Sequence, residues 1–370
     1  VKWAAVLVVL RKLELPKAGD QHLLNRCDVV IIADRNSKKQ QGKEQDGEFL
    51  SSYSQKDAKW DVHRSNTLEI GRIYDRSEQF SRLGDRMHGC SNTLTYRRGH
   101  DADTGEIKIK LINAMFCKVR HCPVCQWRKS MRNTARFFAK LPELREQFPK
   151  HRWLFLTLTI RNCDPTDLRA TIKTMNAAWK RLIERKDWPA DGWARSVEVT
   201  RNEADGTAHP HFHALLMVKP SYFSQNYIAQ AEWADRWQSA LRVDYTPICD
   251  VRAVKSKREG QTIEAAIVET LKYSTKVEDA FRDPEWLYTI TEQLHKMRFI
   301  ATGGALKDIL KDEISQEEMI VGDESAPDED VPDSQKMLFG FDSAVRKYRR
   351  KAKQTPRPTE SSENNQEQVK

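Results

Sequence analysis

The stretch HPHFHALLMV, His209–Val218, places three imidazoles at alternate positions directly ahead of an apolar run. In a β-strand, side chains two apart point to the same face. His211 and His213 therefore share one face of a sheet, and Phe212 takes the other. Two adjacent imidazoles are a ready pair of ligands for a divalent metal. The plainer alternative is two surface histidines on a half-exposed sheet. Pro210 interrupts the alternation, which leaves His209 as an outer ligand, a phosphate contact or simply the start of the strand.

The segment just upstream, RSVEVTRN (195–202), also alternates, and Asp205-Gly206 between the two runs is a hairpin signal. A two-residue turn at Asp205-Gly206 pairs residue 198 with residue 213, which sets Glu198 opposite His213 as a third ligand. A slip of one residue turns Glu198 away and leaves it an exposed strand carboxylate. Two histidines and one carboxylate keep open positions on a metal and suit Lewis-acid work on a phosphoryl oxygen. The mixed N/O set fits Mn²⁺ and accepts Mg²⁺ with water completing the shell; Zn²⁺ stays open.

Further out, WLFLTLTI (153–160) and ICDVRAV (248–254) read as strands. DPTDLRATIKTMNAAWKRLIER (164–185), NYIAQAEWADRWQSAL (226–241) and TIEAAIVETLKYSTKV (262–277) read as helices. The order β-α-β-β-α-β-α predicts an α+β fold with an antiparallel sheet and helices packed on one face. Four regions follow: 1–84, partly disordered; 85–150, a cysteine-rich unit; 151–304, the core; and 305–370, a charged, mostly disordered tail. Residues 34–66 are polar and read as a linker or arm. The opening VKWAAVLVVLRKLE reads as a helix or strand rather than a signal peptide.

On the last of these helices Glu269, Tyr273 and Lys276 fall at i, i+4 and i+7, one stripe. Ile263, Ile267 and Leu271 form another that can face the sheet. A tyrosine beside a metal is a nucleophile once its phenol is activated by the metal or by Lys276, and a carboxylate one turn away can serve as a base for water. An ordinary amphipathic helix with a Glu–Lys surface is the bland alternative.

The chain has seven cysteines, an odd number, and four of them lie between Cys90 and Cys125. This argues against a disulfide framework and for a metal site in a reducing cytoplasm. Cys122-Pro-Val-Cys125 is a metal knuckle, and Cys117 and Cys90 complete a tetrahedral Zn²⁺ set, with His88, His100 or His121 as possible replacements for one of them. Free or buried thiols are the rival. Arg128, Lys129, Arg132 and Arg136 recur at helical spacing and suit a phosphate-facing surface. A formal charge of +9 and a pI of about 9.1 favour an anionic partner, nucleic acid first. No apolar run reaches the roughly 20 residues that span a bilayer.

The three motifs FLTLTIRN, RSVEVTRN…HPHFHALLMV and VETLKYSTK, in that order, resemble the HUH endonucleases. More narrowly, they are similar to rolling-circle replication initiators of small bacterial plasmids. The resemblance covers roughly residues 85–304 and extends to the cysteine–arginine run. It implies a ferredoxin/RRM-like core in which His211 and His213 hold the catalytic divalent metal. It also implies that Tyr273 attacks DNA at the double-strand origin, forming a 5′-phosphotyrosine and leaving a 3′-OH primer. Glu269 then matches the glutamate that activates water in the single-tyrosine branch, and Lys276 the lysine three residues after the tyrosine. The implied partners are plasmid DNA, a host helicase and a DNA polymerase. Two rivals remain: another HUH enzyme, a relaxase or a single-strand transposase, and a non-catalytic zinc-bearing DNA-binding regulator.

Overall fold

The structure is a computed structural model and describes residues 48–100, 107–254, 262–272, 277–311 and 336–351. In chain order its helices are α1 (Leu50–Tyr53), α2 (Lys59–Asp75), α3 (Ser81–Gly89), α4 (Pro123–Gln147), α5 (Leu168–Ile183), α6 (Gln230–Leu241), α7 (Ile263–Leu271), α8 (Val277–Arg282) and α9 (Pro284–Gln293). The strands are β1 (Thr93–His100), β2 (Ile107–Ala114), β3 (Arg152–Thr159), β4 (Ala190–Arg201), β5 (Ala208–Val218), β6 (Cys249–Ala253), β7 (Ile300–Gly304), β8 (Lys336–Asp342) and β9 (Lys347–Arg350). The chain divides into two compact units. The larger holds residues 62–91 and 116–319, the smaller 41–61, 92–115 and 320–370.

The larger unit is built on a five-stranded antiparallel sheet in the order β6-β3-β5-β4-β7. Nearly every residue of β5 is buried, which requires cover on both faces of the sheet. On one face lie the two crossover helices. Asp164 caps the turn before α5 by accepting from the Thr166 N–H, and Pro165 opens it. Leu168, Ile172, Met175 and Trp179 then form the buried stripe of α5. Trp179 and Trp237 of α6 both meet Phe212, at ring separations of 6.1 and 6.0 Å. On the opposite face Phe137, Phe138 and Leu141 of α4 and Ile263, Ile267 and Leu271 of α7 pack with Ala194 and Leu215.

The α+β fold with an antiparallel sheet agrees with the sequence reading. The cover is fuller than the single helical layer expected, because α4, from before the core, and α7 supply a second layer.

The smaller unit is a four-stranded antiparallel sheet, β2-β1-β8-β9. Leu94 and Tyr96 of β1, Met337 and Phe339 of β8 and Tyr348 of β9 are buried at alternate positions, with Trp60 and Leu50. Asp61 Oδ1 accepts from the Tyr348 N–H at 2.8 Å.

Two stretches are more ordered than their composition suggested. Residues 48–66, read as part of a polar arm, run through α1 and into α2, because Leu50 and Trp60 are core residues set in polar sequence. Within 305–370, residues 336–351 form β8 and β9, carried by the alternation of Met337, Phe339 and Phe341. The opening stretch 1–47 lies outside the described residues. Among the described residues no helix is long and apolar enough to cross a membrane.

Candidate metal centre and active site

β4 and β5 bring Glu198, His211 and His213 together at the end of the sheet, each under a tenth exposed. Glu198 Oε2 lies 2.9 Å from His213 Nε2 and 3.4 Å from His211 Nε2. The register differs from the expected one. Glu198 pairs with His211, and His213 faces Ser196.

The hairpin closes at Arg201–Ala208 around a six-residue loop, not two. Within that loop Asn202 N donates to the Thr207 carbonyl at 2.8 Å and Gly206 N to the Asn202 carbonyl at 2.9 Å. Asp205 accepts from the Thr207 N–H, and Gly206 takes the left-handed conformation, φ 74°. Asp-Gly thus ends a wider turn. The shift is two residues, and a shift of two preserves the face, so Glu198 still meets both histidines.

The outer nitrogens of both rings are engaged. His211 Nδ1 lies 3.3 Å from the His209 carbonyl, which can only accept, so Nδ1 carries the proton. His213 Nδ1 lies 3.2 Å from Thr157 Oγ1 on β3. His211 Nε2 therefore faces Glu198 and, with it, the His213 Nε2. Donor atoms converging in this way fit a divalent cation, with outer hydrogen bonds that orient the ligands. Burial opposes the charge of Glu198, but hydrogen bonds from His211 and His213 and the charge of Lys272 hold its carboxyl well below the usual carboxylate range. His209 is not one of the three. Its Nδ1 is 2.7 Å from Asn162 Oδ1, and its ring packs on His211.

Lys272, which the sequence reading considered only as a surface partner for Glu269, joins this site to α7. Its Nζ is 3.1 Å from Glu198 Oε2 and 2.6 Å from Glu269 Oε1. Burial pushes the ammonium pKa down, but the charges of Glu198 and Glu269 outweigh it and raise the value. The available signal was position, between Glu269 and Tyr273 in sequence. The expected helical stripe through Tyr273 is interrupted, because α7 ends at Leu271 and Lys272 is extended, φ −65° and ψ −176°. Tyr273 and Lys276 lie outside the described residues. Downstream, Asp279 is buried and accepts from the Arg201 N–H at 3.2 Å, and Asp283 pairs with the Arg201 guanidinium at 3.0 Å. The chain on either side of residues 273–276 is thus fastened to β4, at Glu198 and at Arg201.

Cys90, Cys117, Cys122 and Cys125 are buried and form one cluster. Three of the sulfur separations are 3.6, 3.7 and 3.6 Å. Four thiolates about 2.3 Å from a tetrahedral Zn²⁺ stand roughly 3.8 Å apart, so the spacing suits that ion. Ser91 and Lys118, the residues after Cys90 and Cys117, both adopt left-handed backbone, φ 50° and 56°, and turn the chain away. Cys122 precedes the first turn of α4, with Pro123 at its start. His88 is engaged elsewhere, 2.7 Å from Asp75.

Arg128, Lys129, Arg132 and Arg136 all lie on α4. Lys129 is exposed and the other three are half-buried. Arg136 Nη1 donates to the Leu310 carbonyl at 3.3 Å. Ser130 Oγ donates to the Leu271 carbonyl at 2.7 Å, which sets the middle of this basic helix beside the end of α7.

Residues 108–349 match the model of a family described as replication protein. The chain is 36% identical over 262 residues to Protein rep of Streptococcus pneumoniae, covering 69% of this chain and 80% of that protein. It is 36% identical over 287 residues to Protein rep of Lactiplantibacillus plantarum, covering 73% and 88%. A replication protein of Staphylococcus aureus is 35% identical over 204 residues, covering 51% and 87%. No solved structure matches the chain.

Proposed function

The chain belongs to the replication protein family, and from that premise we propose that it starts rolling-circle replication of a plasmid by nicking one DNA strand at the double-strand origin. The observation that carries this reading is the contact of Lys272 with both Glu198 and Glu269. It ties the end of α7 to the histidine–glutamate cluster one residue before Tyr273. The HUH resemblance supports the same assignment of roles.

In this reading Glu198, His211 and His213 hold Mn²⁺ or Mg²⁺, which supplies Lewis-acid polarisation of the scissile phosphate. The Tyr273 oxygen attacks phosphorus, and the bond to the 3′ oxygen breaks. The phenolic proton is lost, the 3′ oxygen gains one, and the 5′-phosphate stays on the tyrosine. The free 3′-OH then primes synthesis. Lys276 lends positive charge near the phenol, which otherwise ionises only near pH 10. Glu269 orients the water that later hydrolyses the phosphotyrosine and ends the cycle. Arg128, Lys129, Arg132 and Arg136 contact the DNA backbone beside the site, and the four cysteines hold Zn²⁺ as a structural ion. A helicase and a polymerase of the host act on the nicked product.

Tyr273→Phe keeps the ring and removes the nucleophilic oxygen. It is expected to bind origin DNA with little change and to form no covalent adduct with a labelled oligonucleotide on a denaturing gel. An adduct in the Phe variant would remove Tyr273 from this role. DNA binding by wild-type protein with no cleavage under any divalent metal would favour the non-catalytic regulator instead.

A further inference from the structure

The loop between α9 and β7, which carries His295-Lys296-Met297-Arg298, has no part in the cleavage chemistry, yet arginines gather on the backbone in and around it. Arg120 Nη2 donates to the Met297 carbonyl at 2.6 Å. Arg169 Nη2, in the first turn of α5, donates to the carbonyls of Glu292 and His295 at 2.9 and 3.0 Å. Arg298 Nε donates to the Ile300 carbonyl at 3.0 Å. A carbonyl fixes a guanidinium in place and leaves its charge unneutralised. Lys296 and Arg298 are exposed.

The cations continue onto the first half of α4. Burial and the charge of Arg169 lower the pKa of Arg120. Desolvation and the charges of Arg120 and Arg132 do the same to Lys129. The Arg132 Nε is buried with no hydrogen-bond partner among the described residues. No carboxylate among the described residues pairs with Arg120, Lys129, Arg132, Arg169, Lys296 or Arg298. Like charges held together on a partly desolvated surface repel, and a polyanion laid over them relieves that repulsion.

This run of charge borders the histidine–glutamate cluster on two sides. The loop rejoins the sheet where the Val197 N–H donates to the Phe299 carbonyl at 2.9 Å, one residue before Glu198. On the other side Ser130 of α4 bonds the end of α7.

We propose that the α9–β7 loop and the first half of α4 form one docking surface for the phosphate backbone of duplex DNA beside the nick. The inference rests on the replication reading for the identity of the polyanion. It goes beyond that reading in adding Arg120, Arg169, Lys296 and Arg298 and in naming the form of DNA. The form follows from the aromatic rings. Sites for single strands present rings on which bases stack. The rings next to these cations in sequence are already covered. The Arg120 guanidinium lies 4.6 Å from the centroid of Phe299, and Trp127 stacks on His63 at 4.5 Å. Such a surface holds a backbone and reads no unstacked base.

The test is titration of the full chain with a fluorescein-labelled duplex of arbitrary sequence, and with one of its strands alone, over a series of salt concentrations. The slope of log K against log salt becomes shallower by about 0.9 for every phosphate that is no longer neutralised by a cation. Lys296→Gln/Arg298→Gln is expected to make the duplex slope shallower by about two and to leave the single-strand slope at its wild-type value. The charge-keeping pair Lys296→Arg/Arg298→Lys is expected to retain the wild-type duplex slope. If the double Gln variant does not fold, Lys296→Gln alone carries the test, with a change of about 0.9 on the duplex. An unchanged duplex slope in a folded Gln variant, an equal change on duplex and single strand, or the same loss in the charge-keeping pair overturns the proposal. Failure of the wild-type chain to nick a single-stranded origin oligonucleotide, measured apart, would strike the cleavage reading and leave the duplex slopes standing.

Discussion

A single ammonium placed between two carboxylates does two things. Lys272 neutralises Glu198 at short range, and it holds Glu269 toward the same point. A cation bound by Glu198, His211 and His213 then meets a like charge at close range, so Lys272 works against metal binding while it positions the glutamate. Lys272→Met is therefore expected to tighten Mn²⁺ binding by about tenfold, the size of a 1.4 kcal/mol change, and to slow cleavage at saturating metal. Lys272→Arg is expected to restore both toward wild type. Metal titration of the protein, read apart from activity, checks the first effect. Weaker Mn²⁺ binding in the Met variant would mean that Lys272 helps build the site and does not compete for it. At this scale the histidine pair was legible in the sequence because period two is a strict rule. Lys272 was not, because its partner Glu198 is 74 positions away in the chain and only the fold brings them together.

Elements set what such residues can reach. The turn residues showed that a hairpin forms but not its length. Asp-Gly fits a two-residue turn, and the backbone bonds of Asn202 with Thr207 and Gly206 favour the longer loop. The face survived the error because it was an even number. The stripe of α7 was legible through Ile263, Ile267 and Leu271, which bury as expected. Its end was not, since no Gly or Pro marks Leu271.

Glu269 stands in the last turn of that helix, so the nearly isosteric Glu269→Gln should keep its place and lose its basicity. Initial nicking by Tyr273 is expected to persist, and termination to fail. Plasmids with two origins in tandem would then give read-through products in place of unit circles; normal unit circles would assign the water to another group.

Asp61, at the start of α2, offers a test of the smaller sheet. Burial raises its carboxyl to about 6 from 3.8, against the lowering effects of the Tyr348 N–H and Lys347. Between those values the folded state holds a proton that the unfolded state releases, so this group's contribution to stability falls as pH rises from 3.8 to about 6. Asp61→Asn keeps an acceptor for Tyr348 and removes the charge. Its thermal midpoint should exceed that of wild type at pH 7 and match it more closely at pH 4; equal midpoints at both would show that the raised carboxyl does not govern the unit.

Across the whole molecule, the α+β core and the cysteine cluster were legible in the sequence, and the second sheet was not. Its strands come from two widely separated hairpins, and pairing such as Thr95 with Leu338 leaves no local pattern. The cysteines were legible because metal knuckles are local. Cys122 is completely buried at the head of α4 and lies 3.5 Å from Thr67 Oγ1 on α2. Cys122→Ser is expected to lower zinc from one per chain toward none and to destabilise the larger unit by several kcal/mol, since binding energy at a structural zinc is folding energy. Metal analysis and denaturant titration of the purified variant check this; wild-type protein that stays folded without zinc in excess chelator would leave the cluster as buried thiols.

The same cluster has a bearing on how such proteins can diversify. Cys90 and Cys117 flank the β1–β2 hairpin, and the Cys117 N–H points at Cys90 Sγ from 3.5 Å. The segment between them begins and ends beside one cluster, so the distance between the two cysteines is set whatever the length of that segment. Lengthening a segment closed in this way adds only about 0.6 kcal/mol per doubling. A lineage can therefore lengthen the stretch between Cys90 and Cys117 while keeping Leu94 and Tyr96 in the smaller sheet and the histidine–glutamate cluster unaltered. An engineer inserting a foreign segment between β1 and β2 would be using the same freedom.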